Sequence, residues 1–521
     1  MQTCSSAWTR APTPRLCADS PRAGRLPETT AATLPADTAQ AYQRAAEREG
    51  PVPVSVKLYQ AIGALPDTFK NWAFNTFLLL LYNQVLGMPA SLASLALMIA
   101  LVFDAITDPL VGSFSDGLRS RWGRRHPLMY LSALPLAVSL LCLFSPPAAL
   151  GEWGLFGWLL CFAVTTRGAM TLFLVPWSAL FAELSDDYAE RSSIITFRYV
   201  MGAVGTVVFA WVTWTYIFPS SESYPVGQLN PQAYPVFALV LAAVVLLSVL
   251  LTTILTMGEI KYLRQPLHKS DFGLGSTFRD LLAAVKNRDF MVLFGGLLVS
   301  SVLSGIVAAF EIYFHTFFWG FTSEDLRWFT LAIIGALIGS AMIPVIQRHF
   351  DKKHILLTAM VFSLVDGVAV ISLRLLDILP ANGEPLLLQL LIVNEVFRLV
   401  ALTVTIIMFV SMVADTLDAQ ELDTGLRQEG VFSAAISFSG KAVSGFGVLI
   451  TGLLLDYVIG FPQSASPDTV ATETVFRLGV VGGIIVPLFY IVPFYMATRY
   501  NISRQRHAEI RTALAERYQQ S

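Results

Sequence analysis

Asp104 and Asp108 lie four residues apart in "FDAITDPLVG" (103–112), and they are the only charges between residues 91 and 111. Four residues make about one helical turn, so on a helix both carboxylates share a face, one above the other. A carboxylate at the centre of a membrane-spanning helix costs about 2.5–3.5 kcal/mol on an insertion scale, so two kept together imply a use. Their like charges repel unless a cation or a proton lies between them. Pro109 has no N–H to donate, which leaves the carbonyl of Ala105 without its helical partner. Two carboxylates, that carbonyl and the Thr107 hydroxyl form an oxygen set suited to a small hard cation, and equally to a bound proton. The plainer alternative is a packing pair satisfied by a base elsewhere. Packing alone rarely keeps two acids at this depth.

A base is available. Lys441 is the only charge in "GVFSAAISFSGKAVSGFGVLITG" (430–452), and Ser437, Ser439, Gly440, Ser444, Gly445 and Gly447 surround it. Small residues let another helix come close, so the lysine is expected to face the bundle interior rather than snorkel to the surface. If it neutralises one aspartate, a monovalent cation or a proton completes the cluster. Other intramembrane charges are less diagnostic. Glu395 and Arg398, three apart, can satisfy each other. Glu311 and His315 share a helix face as a proton relay, a substrate contact or a structural pair. Asp366 has no partner in its own helix. Arg167 and Arg198 suit either an anionic group or a fixed counter-ion role.

The elements that must position these residues are membrane helices. The 521-residue chain is 55% hydrophobic and only 14% charged, against roughly 25% charged in soluble proteins. Apolar runs of the roughly 20 residues needed to cross a bilayer recur in about twelve places, the first expected near 70–88. The expected fold is an all-α polytopic protein of twelve transmembrane helices in two six-helix halves. The expected divisions are a disordered arm (1–56), a first bundle (57–257), a linker (258–288), a second bundle (289–498) and a tail (499–521). Arg and Lys collect after spans 2, 6, 8 and 12, which by the positive-inside rule puts both termini in the cytoplasm of a multi-pass plasma-membrane protein. The loop after span 2, "GSFSDGLRSRWGRR", spaces Gly112, Asp116, Gly123, Arg124 and Arg125 in a pattern similar to the loop signature of the major facilitator superfamily. The loop after span 8, "RHFDKK", keeps only its acid and base character.

Beyond that loop, "DAITDPLVG", "SDGLRSRWGRRHP", "VPWSAL" and "RQEGVFSAAISFSGKAVSGFG" resemble the glycoside/pentoside/hexuronide cation symporters, the melibiose carrier family, over about residues 59–500. The resemblance implies a cation site at Asp104, Thr107, Asp108 and Thr171. It implies a lysine linking cation and sugar at Lys441 and an arginine at Arg198. The sugar side departs from the pattern: the family's helix IV carboxylate falls on Leu174, its sugar-stacking tryptophan on Ser178 beside Trp177, and its helix I aspartate on Thr68 beside Asp67. With Arg167 added, these positions are the candidate substrate and coupling residues.

The expected activity is Na+- or H+-coupled symport of a sugar, glycoside or hexuronate by a monomer in the bilayer. A cation-coupled carrier of an amphipathic anionic solute such as a lysolipid is the alternative, and a transporter-derived sensor is the non-transport one. No nucleic acid partner, resident metal or other cofactor is expected beyond the coupling ion. HExxH, GxSxG and P-loop motifs are lacking and the six histidines are scattered, which argues against an enzyme.

Overall fold

The computed structural model describes residues 42–43, 50–118, 120–185, 187–263, 265–266, 288–424 and 439–520. Most of the expected arm, most of the linker with Lys269, Arg279 and Lys286, and the stretch "RQEGVFSAAISF" lie outside the described residues. So does Arg119.

Eleven helices are long and apolar enough to cross a membrane among the described residues: α2 (Ala90–Gly117), α3 (His126–Phe144), α4 (Glu152–Leu184), α5 (Ala189–Ile217), α6 (Ala233–Tyr262), α7 (Met291–Phe318), α8 (Ser323–Ile346), α9 (Lys352–Leu375), α10 (Pro385–Leu422), α11 (Ser439–Ile459) and α12 (Thr472–Thr498). The twelfth, α1, precedes them. It runs through Val54–Ile62 and Leu65–Ala73 into two wider turns, Phe74–Leu78 and Leu81–Val85. The chain is thus an all-helical membrane protein with six spanning helices in each half, as the sequence predicted.

The expected start of the first span, residue 70, is corrected to residue 54. The added turns carry Lys57 and Gln60, both buried, and a hydropathy reading passes over them. They face protein rather than lipid: Lys57 Nζ bonds Ser193 Oγ of α5 at 3.0 Å and pairs with Glu190 at 3.0 Å. A polar helix can lie in the membrane when other helices satisfy its polar groups.

Glycines set the closest approach between helices. Gly305 of α7 and Gly447 of α11 lie back to back, and a Cβ on either would strike the other helix's backbone. Gly452 lies against Ala90 and Ser94 of α2 in the same way. So α11 is held tightly between α2 and α7, the small-residue contact its sequence suggested. Interlocked rings fill the first half: Phe77 stacks on Phe218 at 4.8 Å and meets Phe237 at 5.0 Å and Trp214 at 5.1 Å. A C-terminal helix, α13 (Arg504–Gln520), folds back onto the end of α10, where His507 Nε2 lies 3.0 Å from Asp418. Its Ile510 and Leu514 are buried with Met408 and Met412.

At the opposite end the two halves are joined directly. Tyr313 Oη donates to Asn83 Oδ1 at 2.8 Å, and Gln84 bonds the carbonyl of Pro462 and the N–H of Ala465, both at 3.1 Å. Asp456, at the end of α11, accepts from the N–H groups of Ala90 and Ser91 at 3.1 and 2.7 Å. A carboxylate is favoured there because the first turn of α2 has unsatisfied N–H groups and a positive dipole end.

Candidate functional site

α2, α4 and α11 bring five of the singled-out side chains to one place. Thr171 Oγ1 lies between the carboxylates, 2.9 Å from Asp104 Oδ1 and 3.0 Å from Asp108 Oδ1. On the other side of the pair, Lys441 Nζ is 2.5 Å from Asp108 Oδ2 and 3.2 Å from Asp104 Oδ2. Arg167 Nη1 reaches the same Asp104 oxygen at 3.3 Å. Asp104 is the deepest of the charged members, with 6% of its side chain exposed, against 11% for Arg167, 21% for Asp108 and 28% for Lys441.

These positions follow from local geometry. The i,i+4 spacing turns both aspartates to α4, where Thr171 is one turn beyond Arg167 on the same face. α2 continues through Pro109 as one helix. The glycines of α11 place Lys441 against α2 from the other half of the molecule.

Thr107 differs from its expectation. Its hydroxyl bonds the carbonyl of Asp104 at 3.1 Å on its own helix, so no carboxylate oxygen receives it. Threonine makes this backward bond readily inside helices.

Of the expected sugar-side residues, Trp177, Thr68 and Arg198 make their contacts outside this cluster. Trp177 is buried, exchanges bonds with the backbone of Gln60 (Nε1 to Gln60 O, 2.8 Å) and through the Gln60 amide (to Trp177 O, 3.0 Å), and packs on Gly63. The guanidinium of Arg198 covers its ring at 3.6 Å from the centroid. A cation already occupies that aromatic face, so the expectation of Trp177 as a stacking platform is corrected for this conformation. Thr68 bonds the carbonyls of Ala64 and Leu65 and packs toward Gly202 of α5; it is a packing residue here. Asp67 is held by Lys70 at 3.1 Å.

The loop after α2 forms a compact ionic knot. Arg125 Nη2 pairs with Asp116 at 2.7 Å and with Glu183 at 2.8 Å, Arg124 Nη2 meets Glu183 at 2.6 Å, and Arg125 Nη1 bonds Ser115 at 2.9 Å. Gly123 takes φ +72°, a conformation glycine adopts without strain. Gly112 packs on Val175 of α4.

Two participants were missed by sequence reading. Glu183, buried at the end of α4, ties both loop arginines; its place two residues before the polar "SDD" made it resemble an ordinary helix-end acid. Lys70 stood at the edge of the expected first span, with its partner Asp67 outside it.

Comparisons with known proteins agree with this architecture. A family model described as "MFS/sugar transport protein" matches residues 59–504. An uncharacterized symporter of Synechocystis is 26% identical over 85% of this chain and 93% of its own length. The isoprimeverose transporter of Lactiplantibacillus pentosus is 23% identical over 87% and 92%. The sodium-dependent lysophosphatidylcholine symporter 1 of Xenopus tropicalis is 25% identical over 88% and 90%. Among solved structures the nucleoside transporter NupG superposes with a TM-score of 0.56 over 86% of this chain and 99% of its own, at 13% identity, which is a likeness of fold alone.

Proposed function

We propose a cation-coupled symporter of a sugar, glycoside or hexuronate, working from one premise: the chain belongs to the MFS/sugar transport protein family. As a member it is a multi-pass membrane transporter and not an enzyme. Both termini are assigned to the cytoplasm of the cell membrane, the functional unit to a monomer, and the coupling ion to Na+ or H+.

One observation carries the reading: the two acids of the first half are closed by an ammonium from the second, Lys441 at 2.5 and 3.2 Å. That ammonium stands where a coupling cation would neutralise the pair. Asp104 Oδ1, Asp108 Oδ1 and Thr171 Oγ1 offer the oxygen ligands a hard ion prefers. An ion that takes the pair displaces Lys441 and so loosens the tie between α2 and α11. Ion binding is thereby linked to how the halves meet, which is what alternating access by rocking halves requires. The joined end described above corresponds to a state closed on the side away from the termini.

The test is uptake into proteoliposomes of sugars, glycosides and uronates, driven by a Na+ gradient and separately by a pH gradient. Asp104→Asn and Asp108→Asn should each lower gradient-driven uptake at least about 100-fold, the scale of a lost buried charge pair of about 3 kcal/mol. Full coupling retained in both variants overturns the reading. An amphipathic solute with an anionic head is the second reading, favoured by similarity to a symporter named for a lysolipid; competition by lysolipids but not by sugars would select it.

A further inference from the structure

The second half holds a cavity that the symport reading does not use. It encloses about 170 Å³, well above the roughly 10–15 Å³ that admits one water. Glu311 and His315 of α7, Asp366 of α9, and Asn394, Glu395 and Arg398 of α10 converge on it. The rest of the wall is apolar and includes five aromatic rings, Phe310, Phe314, Trp319, Phe321 and Phe329.

Charge is unevenly matched there. Arg398 grips Glu395 twice, Nη2 to Oε1 at 2.6 Å and Nε to Oε2 at 2.7 Å, and reaches Glu311 Oε1 at 3.3 Å. Asp366 receives only the uncharged amide of Asn394, at 2.5 Å. Three carboxylates therefore face one guanidinium, and no other Lys or Arg lines the cavity among the described residues. The ring of His315 lies 4.9 Å from that of Phe329, and its nitrogens have no hydrogen-bond partner among the described residues.

Unmatched negative charge inside a membrane protein calls for a positive partner. The wall indicates which kind. A hard metal ion takes oxygen ligands on every side, whereas ring faces attract the diffuse charge of an organic cation. We propose that this cavity binds a small organic cation, its ammonium group facing Glu311 and Asp366 and its apolar part against the rings. The site is distinct from the aspartate pair. Ser301 of α7 bonds Ser439, two residues from Lys441, at 3.1 Å, and Glu311 lies ten residues further along α7, roughly 15 Å of helical rise.

Isothermal titration of the full-length protein in lipid nanodiscs tests this with tetramethylammonium, its neutral isostere 2,2-dimethylpropan-1-ol, and NaCl, all at constant ionic strength. Saturable one-to-one binding of tetramethylammonium is expected, with the alcohol at least tenfold weaker. Glu311→Gln and Asp366→Asn should each weaken it at least tenfold. Phe329→Leu, which keeps every charge, should weaken it severalfold at an unchanged melting temperature. Binding should survive in Asp108→Asn, so failure of the symport reading and failure of this one are separable. No saturable binding, equal binding of the alcohol, displacement by equimolar Na+, or unchanged affinity in all three cavity variants overturns the proposal.

Discussion

The two halves carry their intramembrane charge differently. Around the aspartate pair and its neighbour α1, three carboxylates (Asp67, Asp104 and Asp108) meet three bases (Lys70, Arg167 and Lys441) at 2.5–3.3 Å. In the second-half cavity Glu311 and Glu395 share Arg398, and Asp366 is met by the uncharged amide of Asn394. The balanced cluster borrows one base from the other half, so its balance depends on how the halves meet. The unbalanced cluster lies within one half, and its balance depends on what enters the cavity. Depth is therefore not what separates a conformational charge site from a ligand site. The origin of the counter-charge is.

The sharpest way to break this comparison is to remove the one base of the second-half cavity. Arg398→Met leaves three carboxylates together, and breaking such a buried pair costs on the order of 3–5 kcal/mol. A lower melting temperature in nanodiscs is expected, partly restored by tetramethylammonium. A variant as stable as the parent would mean that protons already neutralise these acids, and the contrast between the halves would disappear.

Opening the balanced cluster should have a smaller and opposite consequence. In Lys441→Met the tethered ammonium no longer competes for the pair, so the coupling ion should bind about tenfold more tightly, a difference of about 1.4 kcal/mol. The rise of melting temperature with Na+ concentration, or with falling pH if the ion is H+, reads that affinity directly. Uptake in the same variant should lose its dependence on the ion gradient. An unchanged ion dependence in both measurements would make Lys441 a bystander at the surface.

These contrasts were only partly legible in the sequence. Twelve spans could be read because lipid demands long apolar runs, a one-dimensional requirement. α1 was misplaced because Lys57 and Gln60 are satisfied by other helices, which no local window records. The aspartate pair and Lys441 were each conspicuous as isolated charges, and the glycines of α11 indicated a close contact. The cavity was not visible as a unit. Glu395 with Arg398, Glu311 with His315, and Asp366 each read as a local matter, and the partner of Asp366 is Asn394 on the neighbouring α10. The indole of Trp177 was equally ambiguous, since only packing reveals that Arg198 already covers it.

The smallest expected effect separates two threonines that the sequence placed in one role. Thr171 bonds both carboxylates, whereas Thr107 bonds a carbonyl of its own helix. A hydrogen bond to a charged group contributes about 1.5–3 kcal/mol and a neutral one about 0.5–1.5 kcal/mol. Thr171→Val keeps the shape and removes a bridge that exceeds an ordinary bond by about 1–1.4 kcal/mol, so ion affinity should fall by about fivefold to tenfold with the fold intact. Thr107→Val should leave that affinity within about twofold, because its hydroxyl is spent on the backbone. Equal losses in both variants would mean that Thr107 turns toward the ion once Lys441 has left. The oxygen set would then be completed from α2 itself, and the balance seen in the first half would belong to the ion-free state alone.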